Sequence, residues 1–84
     1  MMGAMQSFAE IIAAWPDDIT FAADHGVSVG LVRVWKIRGI PALYWTKTLA
    51  KAPLRGVQGV TGELLERLYA DERRKQSAER AASA

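Results

Sequence analysis

The chain of 84 residues has no cysteine, one histidine and three prolines. Without thiols there is no disulfide framework and no thiolate metal site, and a lone imidazole leaves a metal centre without its usual ligands. The staples on which tiny secreted folds rely are missing as well, which favours the cytoplasm. Long apolar runs are also lacking. The opening "MMGAMQSFAEIIAAW" has no basic stretch and soon meets Glu10, which argues against a signal peptide and a membrane span. Acid is absent from one region only. Between His25 and Gly62 there is no Asp or Glu, while Arg33, Lys36, Arg38, Lys47, Lys51 and Arg55 fall there, and all nine acids lie outside. Such a middle attracts a polyanion and such ends repel it, although a solvated basic face with no partner has the same composition.

Apolar surface is what the chain does have. Half of its residues are hydrophobic and three are Trp. That is enough for one small all-α domain and too little for two, since a core of this size buries only roughly 60–65% of the chain's surface. Helix punctuation divides it into about five short helices. Ser7 and Glu10 have the form of a capping box ahead of Phe8, Ile11, Ile12 and Trp15, predicting a helix over 7–14 that Pro16 stops. Asp17 or Asp18 caps a second over about 19–25, closed by Gly26. Ser28 caps a third over 29–38, ended by Gly39 and Pro41, with Val32 and Trp35 on its inner face. Pro41 suits the first turn of a fourth through about Lys51, before Pro53 and the glycine loop "LRGVQGVTG". Thr61 caps a fifth that carries Leu64, Leu65, Leu68 and Tyr69 as one apolar stripe. Residues 1–6 are expected to be disordered or an extraneous remnant, 7–70 to form the domain, and 71–84 to be a charged tail, frayed, disordered or a solvated helical extension.

The punctuation between the second and third helices is the least generic feature. With Asp18 as the first position of a twenty-residue window, Ala22 is fifth, Gly26 ninth, Val27 tenth, Val32 fifteenth and Trp35 eighteenth. Two helices crossing closely need a small residue at the fifth, a turn at the ninth, and apolar plugs at the other three. With Ser28, Lys36 and the run Gly39, Ile40, Pro41, this stretch resembles the Cro/phage-repressor-type (XRE-like, YdaS-like) helix-turn-helix regulators. The likeness extends over about 8–65. It implies a lambda-repressor-like compact bundle, binding to double-stranded DNA as a homodimer on an inverted repeat, and transcriptional regulation of the prophage Cro-like type, repression being the simplest form. His25 departs from the pattern, standing where a core aliphatic is usual; it either packs with a ring nitrogen satisfied by backbone or touches phosphate.

On the third helix the side away from Val32 and Trp35 presents Ser28, Val29, Gly30, Arg33, Val34 and Ile37, the candidate base-reading set. Valines there can press on thymine methyl groups, Gly30 permits close approach, and Arg33 is the one bidentate reader of guanine. Val29 and Val34 could instead pack on another helix or a partner chain. Thr20, Lys36, Arg38, Lys47 and Lys51 are the candidate phosphate contacts, with Arg55 as an extension, although Lys51 and Arg55 read equally well as solubility charges. Tyr44 and Trp45 read as core. The stripe Leu64, Leu65, Leu68 and Tyr69, supported by Leu54 and Val57, is the candidate dimer interface; the alternatives are that it closes the monomer core, or that both hold with Leu64 and Leu68 inward and Leu65 and Tyr69 outward. Scattered acids, one His and no phosphate-binding loop after a strand argue against an enzyme, and no cofactor is expected. The rival function is a protein-interaction module or co-activator of the same fold that grips RNA polymerase or another regulator. The location expected for the DNA reading is the nucleoid in the cytoplasm.

Overall fold

In the computed structural model, which describes residues 5–83 and side chains as far as Ala78, every regular element among the described residues is helical. The order is α1 (Phe8–Ala13), α2 (Asp18–His25), α3 (Val29–Arg38), a 3-10 turn (Ala42–Tyr44), α4 (Trp45–Lys51), a second 3-10 turn (Pro53–Arg55) and α5 (Gly62–Ser83). The caps do what the sequence requires of them. Ser7, Asp17 and Ser28 accept from the amides of Glu10, Thr20 and Leu31 at 3.2, 2.7 and 3.1 Å, and Thr61 accepts from Leu64 at 3.1 Å. Each satisfies a first-turn amide with no partner inside its helix. The fourth helix starts later than the sequence predicts, because a 3-10 turn opens with Tyr44 N donating to the Pro41 carbonyl at 2.9 Å.

Two glycines direct the chain around α3. Gly26 (φ +68°) closes α2: its amide donates to the Ala23 carbonyl at 3.2 Å and that of Val27 to Ala22 at 3.0 Å. A residue with a Cβ pays strain in that left-handed conformation. Gly39 (φ +100°) ends α3, and a Cβ there would sit 3.0 Å from two ring carbons of Phe8. Ile40 then plugs the core at 1% exposure, and its carbonyl accepts from the Trp45 indole at 2.7 Å.

The core gathers Phe8, Ile11, Ile12 and Trp15 from α1, Phe21 and Ala22 from α2, and Val32 and Trp35 from α3. Leu64, Leu65 and Leu68 enter from α5 at 7, 0 and 3% exposure. These three close the single chain's own core. As a dimer stripe they are therefore unavailable, and only Tyr69 of that set is exposed. Val57 is buried too. At the chain ends, residues 1–4 of the expected 1–6 remnant lie outside the described residues, but Met5 packs on the core and its carbonyl accepts from Arg67 at 2.9 Å. Of the alternatives for the tail the structure has the helical extension, α5 continuing to Ser83, with Arg74 paired to Asp71.

His25 is a core residue. Its ring stacks on Phe21 (centroids 4.1 Å apart) and meets the Trp35 ring at 5.9 Å. Nδ1 lies 2.8 Å from the Phe21 carbonyl, which can only accept, so Nδ1 carries the proton. Nε2, 2.8 Å from the Thr48 hydroxyl, then accepts from it in the neutral ring, the Tyr44 carbonyl competing for the same proton at 3.1 Å. Burial holds the imidazole below its ordinary pKa of 6.5, against the opposing pull of the Phe21 carbonyl and Asp24. Above pH 6.5 both folded and unfolded chains keep the ring neutral. As the pH falls through 6.5 the unfolded chain takes a proton that the folded one resists, so the contribution of His25 to stability is lost on the acid side. Urea unfolding should show stability declining from pH 7 towards pH 5, and His25→Leu should flatten that decline.

Candidate nucleic-acid interface

α3 is fixed on its inner side. Val32 and Trp35 are 0 and 2% exposed, and the Trp35 ring lies 6.3 Å from Phe21 and 4.8 Å from Tyr44. At 100° per residue, anchoring those two positions turns 30, 33, 34 and 37 away from the core. Gly30 and Arg33 are accordingly exposed, Val34 is 46% exposed and Ile37 74%. Four of the six expected base-reading positions thus share an open face. Ser28 is exposed too, and while its oxygen accepts from the Leu31 amide as the cap of α3 its hydroxyl proton can still donate. Val29 is half-buried and packs on the core, so it leaves the set. Leu31, 37% exposed, joins it. The sequence signal for Leu31 was its spacing of three before Val34, overlooked because a leucine ordinarily reads as core.

The expected phosphate contacts separate into three groups. Thr20 is engaged by Asp17: its amide and hydroxyl both hydrogen-bond to that carboxylate, holding the carboxyl below its ordinary pKa. A fixed anion there opposes a phosphate, so Thr20 is removed from the track. Lys36 pairs with Asp18 at 2.7 Å and Arg55 with Asp24 at 2.7 and 2.9 Å, so each ties the bundle together. Asp24 also accepts from the Trp15 indole at 2.9 Å. The Arg55 guanidinium, opposed by burial and helped by Trp15, holds the Asp24 carboxyl well below the usual carboxylate range. Lys51, half-buried, adds to that pull by its charge. Of the phosphate set Arg38 and Lys47 remain, exposed and in no ion pair among the described residues, as is the base-reading candidate Arg33.

Their placement brackets α3. Lys47 lies over the turn before it: a Cβ at Gly26 would be 3.9 Å from its ammonium, which sits 6.0 Å from the Tyr44 ring centroid. Arg38 is the last residue of α3. The helix rises about 1.5 Å per residue, so its ten residues separate these ends by roughly 15 Å. Tyr44 and Trp45 are half-buried against the core, as expected.

Elsewhere, a groove between the start of α1, the end of α3 and α5 is lined by Lys36, Asp71, Glu72 and Lys75, charges of both signs. No group of His, Cys, Asp or Glu among the described residues could hold a metal ion. No helix among them is long and apolar enough to cross a membrane. Comparison with protein-family models, curated proteins and solved structures finds no match to this chain.

Gly30 needs explaining in a helix interior, where glycine costs roughly 0.5–1 kcal/mol relative to alanine. It has ordinary helical backbone, and a Cβ there would meet only the Ser28 oxygen at 3.8 Å. Nothing in the fold demands it. Gly30→Ala should stabilise the chain by about 0.5–1 kcal/mol in denaturant unfolding.

Proposed function

We propose that this protein is a sequence-specific DNA-binding transcriptional regulator that lays the outer face of α3 in the major groove and acts as a dimer on paired half-sites. The observation that carries the proposal is the free outer face of α3, bracketed by unpaired cations in a region of the chain with no acid. The B-DNA major groove is about 12 Å wide and walled by phosphates. Cations at the two ends of a ten-residue helix suit those walls, and Arg33 between them suits a guanine edge. The turn of Gly26, Val27 and Ser28 between α2 and α3, over the buried Ala22, supports the helix-turn-helix reading. A dimer follows from the short reach of one such helix, two copies being set about 34 Å apart on DNA. Its interface excludes the α5 leucines. Occupying a promoter would repress it by blocking polymerase.

One observation favours a second reading. Leu31, Val34 and Ile37 form an apolar series that a protein partner, polymerase or another regulator, could cover. The two readings differ in salt dependence, because DNA binding releases counterions and weakens steeply as salt rises. In a binding assay over a salt series, Arg38→Ala should weaken binding to all duplexes alike and reduce the salt slope by about 1. Arg33→Ala should also erase a preference at one base pair, worth about 1–3 kcal/mol. Salt-insensitive binding to a protein, with none to DNA, would favour the rival.

A further inference from the structure

The outer face of α3 is short of hydrogen-bonding groups. Leu31, Val34 and Ile37 are exposed, Gly30 has no side chain, and the Ser28 oxygen already accepts from Leu31. Arg33 is the only side chain on this face able to make a bidentate contact. Reading several base pairs by donor and acceptor pattern calls for Asn, Gln or further Arg and Lys at such positions. The major groove offers one apolar feature instead, the methyl group on C5 of thymine. A cytosine methylated at C5 presents the same group at the same place.

The spacing suits such a target. Leu31 to Ile37 spans about 9 Å along the helix axis, near the length of three base-pair steps of about 3.4 Å. Gly30 lowers the helix surface beside this ridge, where a larger side chain would hold it off. The surrounding charge selects nucleic acid over an apolar protein groove, since Arg33, Arg38 and Lys47 stand at the ridge without acidic partners among the described residues.

Resting on the DNA-binding reading, we infer that this face recognises C5-methyl groups of pyrimidines in the major groove through Leu31, Val34 and Ile37, with Arg33 taking an adjacent guanine. Burying a methyl group is the source of affinity, so each contacted methyl is worth about fourfold in binding.

Duplexes selected from a random pool by the purified protein provide the probe. In one arm, deoxyuridine replaces thymine, which removes the methyl and leaves pairing and phosphates unchanged. In the other, 5-methylcytosine replaces cytosine. The expected result is about a fourfold loss for each contacted thymine methyl, or a similar gain at a contacted cytosine; the responding arm identifies the source. Val34→Ser, at a 46% exposed position, should bind the methylated duplex correspondingly less and become indifferent to the methyl. Ile37→Ser is the second such variant. DNA binding indifferent to C5 methylation in both arms would overturn this inference and leave the DNA-binding reading standing. Failure of the folded protein, helical by circular dichroism, to bind any duplex would overturn that reading and the inference with it.

Discussion

The burial of Trp35 decides which way α3 faces. Its ring meets Phe21, His25 and Tyr44, which join it to α2 and to the segment leading into α4. Val32, one turn earlier, is buried beside it. Turning α3 by a single residue would bring both into water and drive Arg33 inward. Two large apolar side chains lose roughly 1.5–3 kcal/mol each on exposure, and an unpaired buried guanidinium costs more. The outward position of Gly30, Arg33, Val34 and Ile37 is thus a consequence of the core. Gly26 and Gly39 complete the constraint, one setting where α3 begins and the other letting Phe8 pack beneath its end.

The central region of six cations is less positive in the fold than in the sequence. Asp18 reaches across from α2 to Lys36, and Asp24 binds Arg55 while accepting a hydrogen bond from the Trp15 indole. The first is a partly exposed pair of modest worth. The second is bidentate on a carboxylate whose side chain is 7% exposed, which makes it a structural tie between the end of α2 and the segment after α4. Free charge is left at the two ends of α3 and at its centre, so the folded chain concentrates a diffuse basic composition around one helix.

The local parts of this arrangement were legible in the sequence. Caps are decided within three or four residues, so Ser7, Asp17, Ser28 and Thr61 mark helix starts unaided, and α3 runs over 29–38 as its punctuation predicts. The small residue at 22, the turn at 26 and the plugs at 32 and 35 also announce themselves. Long-range pairings do not. Arg55 and Asp24 are 31 residues apart and Lys36 and Asp18 are 18 apart, and nothing in either neighbourhood names the partner. The stripe on α5 was visible, but periodicity cannot distinguish a helix that closes its own core from one that seeks a second copy. Leu65 is buried in the core with Leu64 and Leu68. Val29 is half-buried and Leu31 exposed, a difference within the first turn of α3 that composition does not encode.

Exposed apolar side chains are common on small proteins, and their arrangement matters more than their number. Ile19, Leu43 and Leu54 are exposed on three separate elements. Leu31, Val34 and Ile37 follow one another along a single helix at three-residue intervals, beside an interior glycine that the fold does not require. Had this face evolved only for solubility, the surface positions would favour charge and the glycine would favour alanine, each at some gain in stability. Retaining both an apolar ridge and a lowered helix surface is the arrangement expected of a contact made elsewhere. The proposed DNA contact accounts for the cations at either end of the ridge, in a stretch with no acid, which an apolar protein partner leaves unexplained.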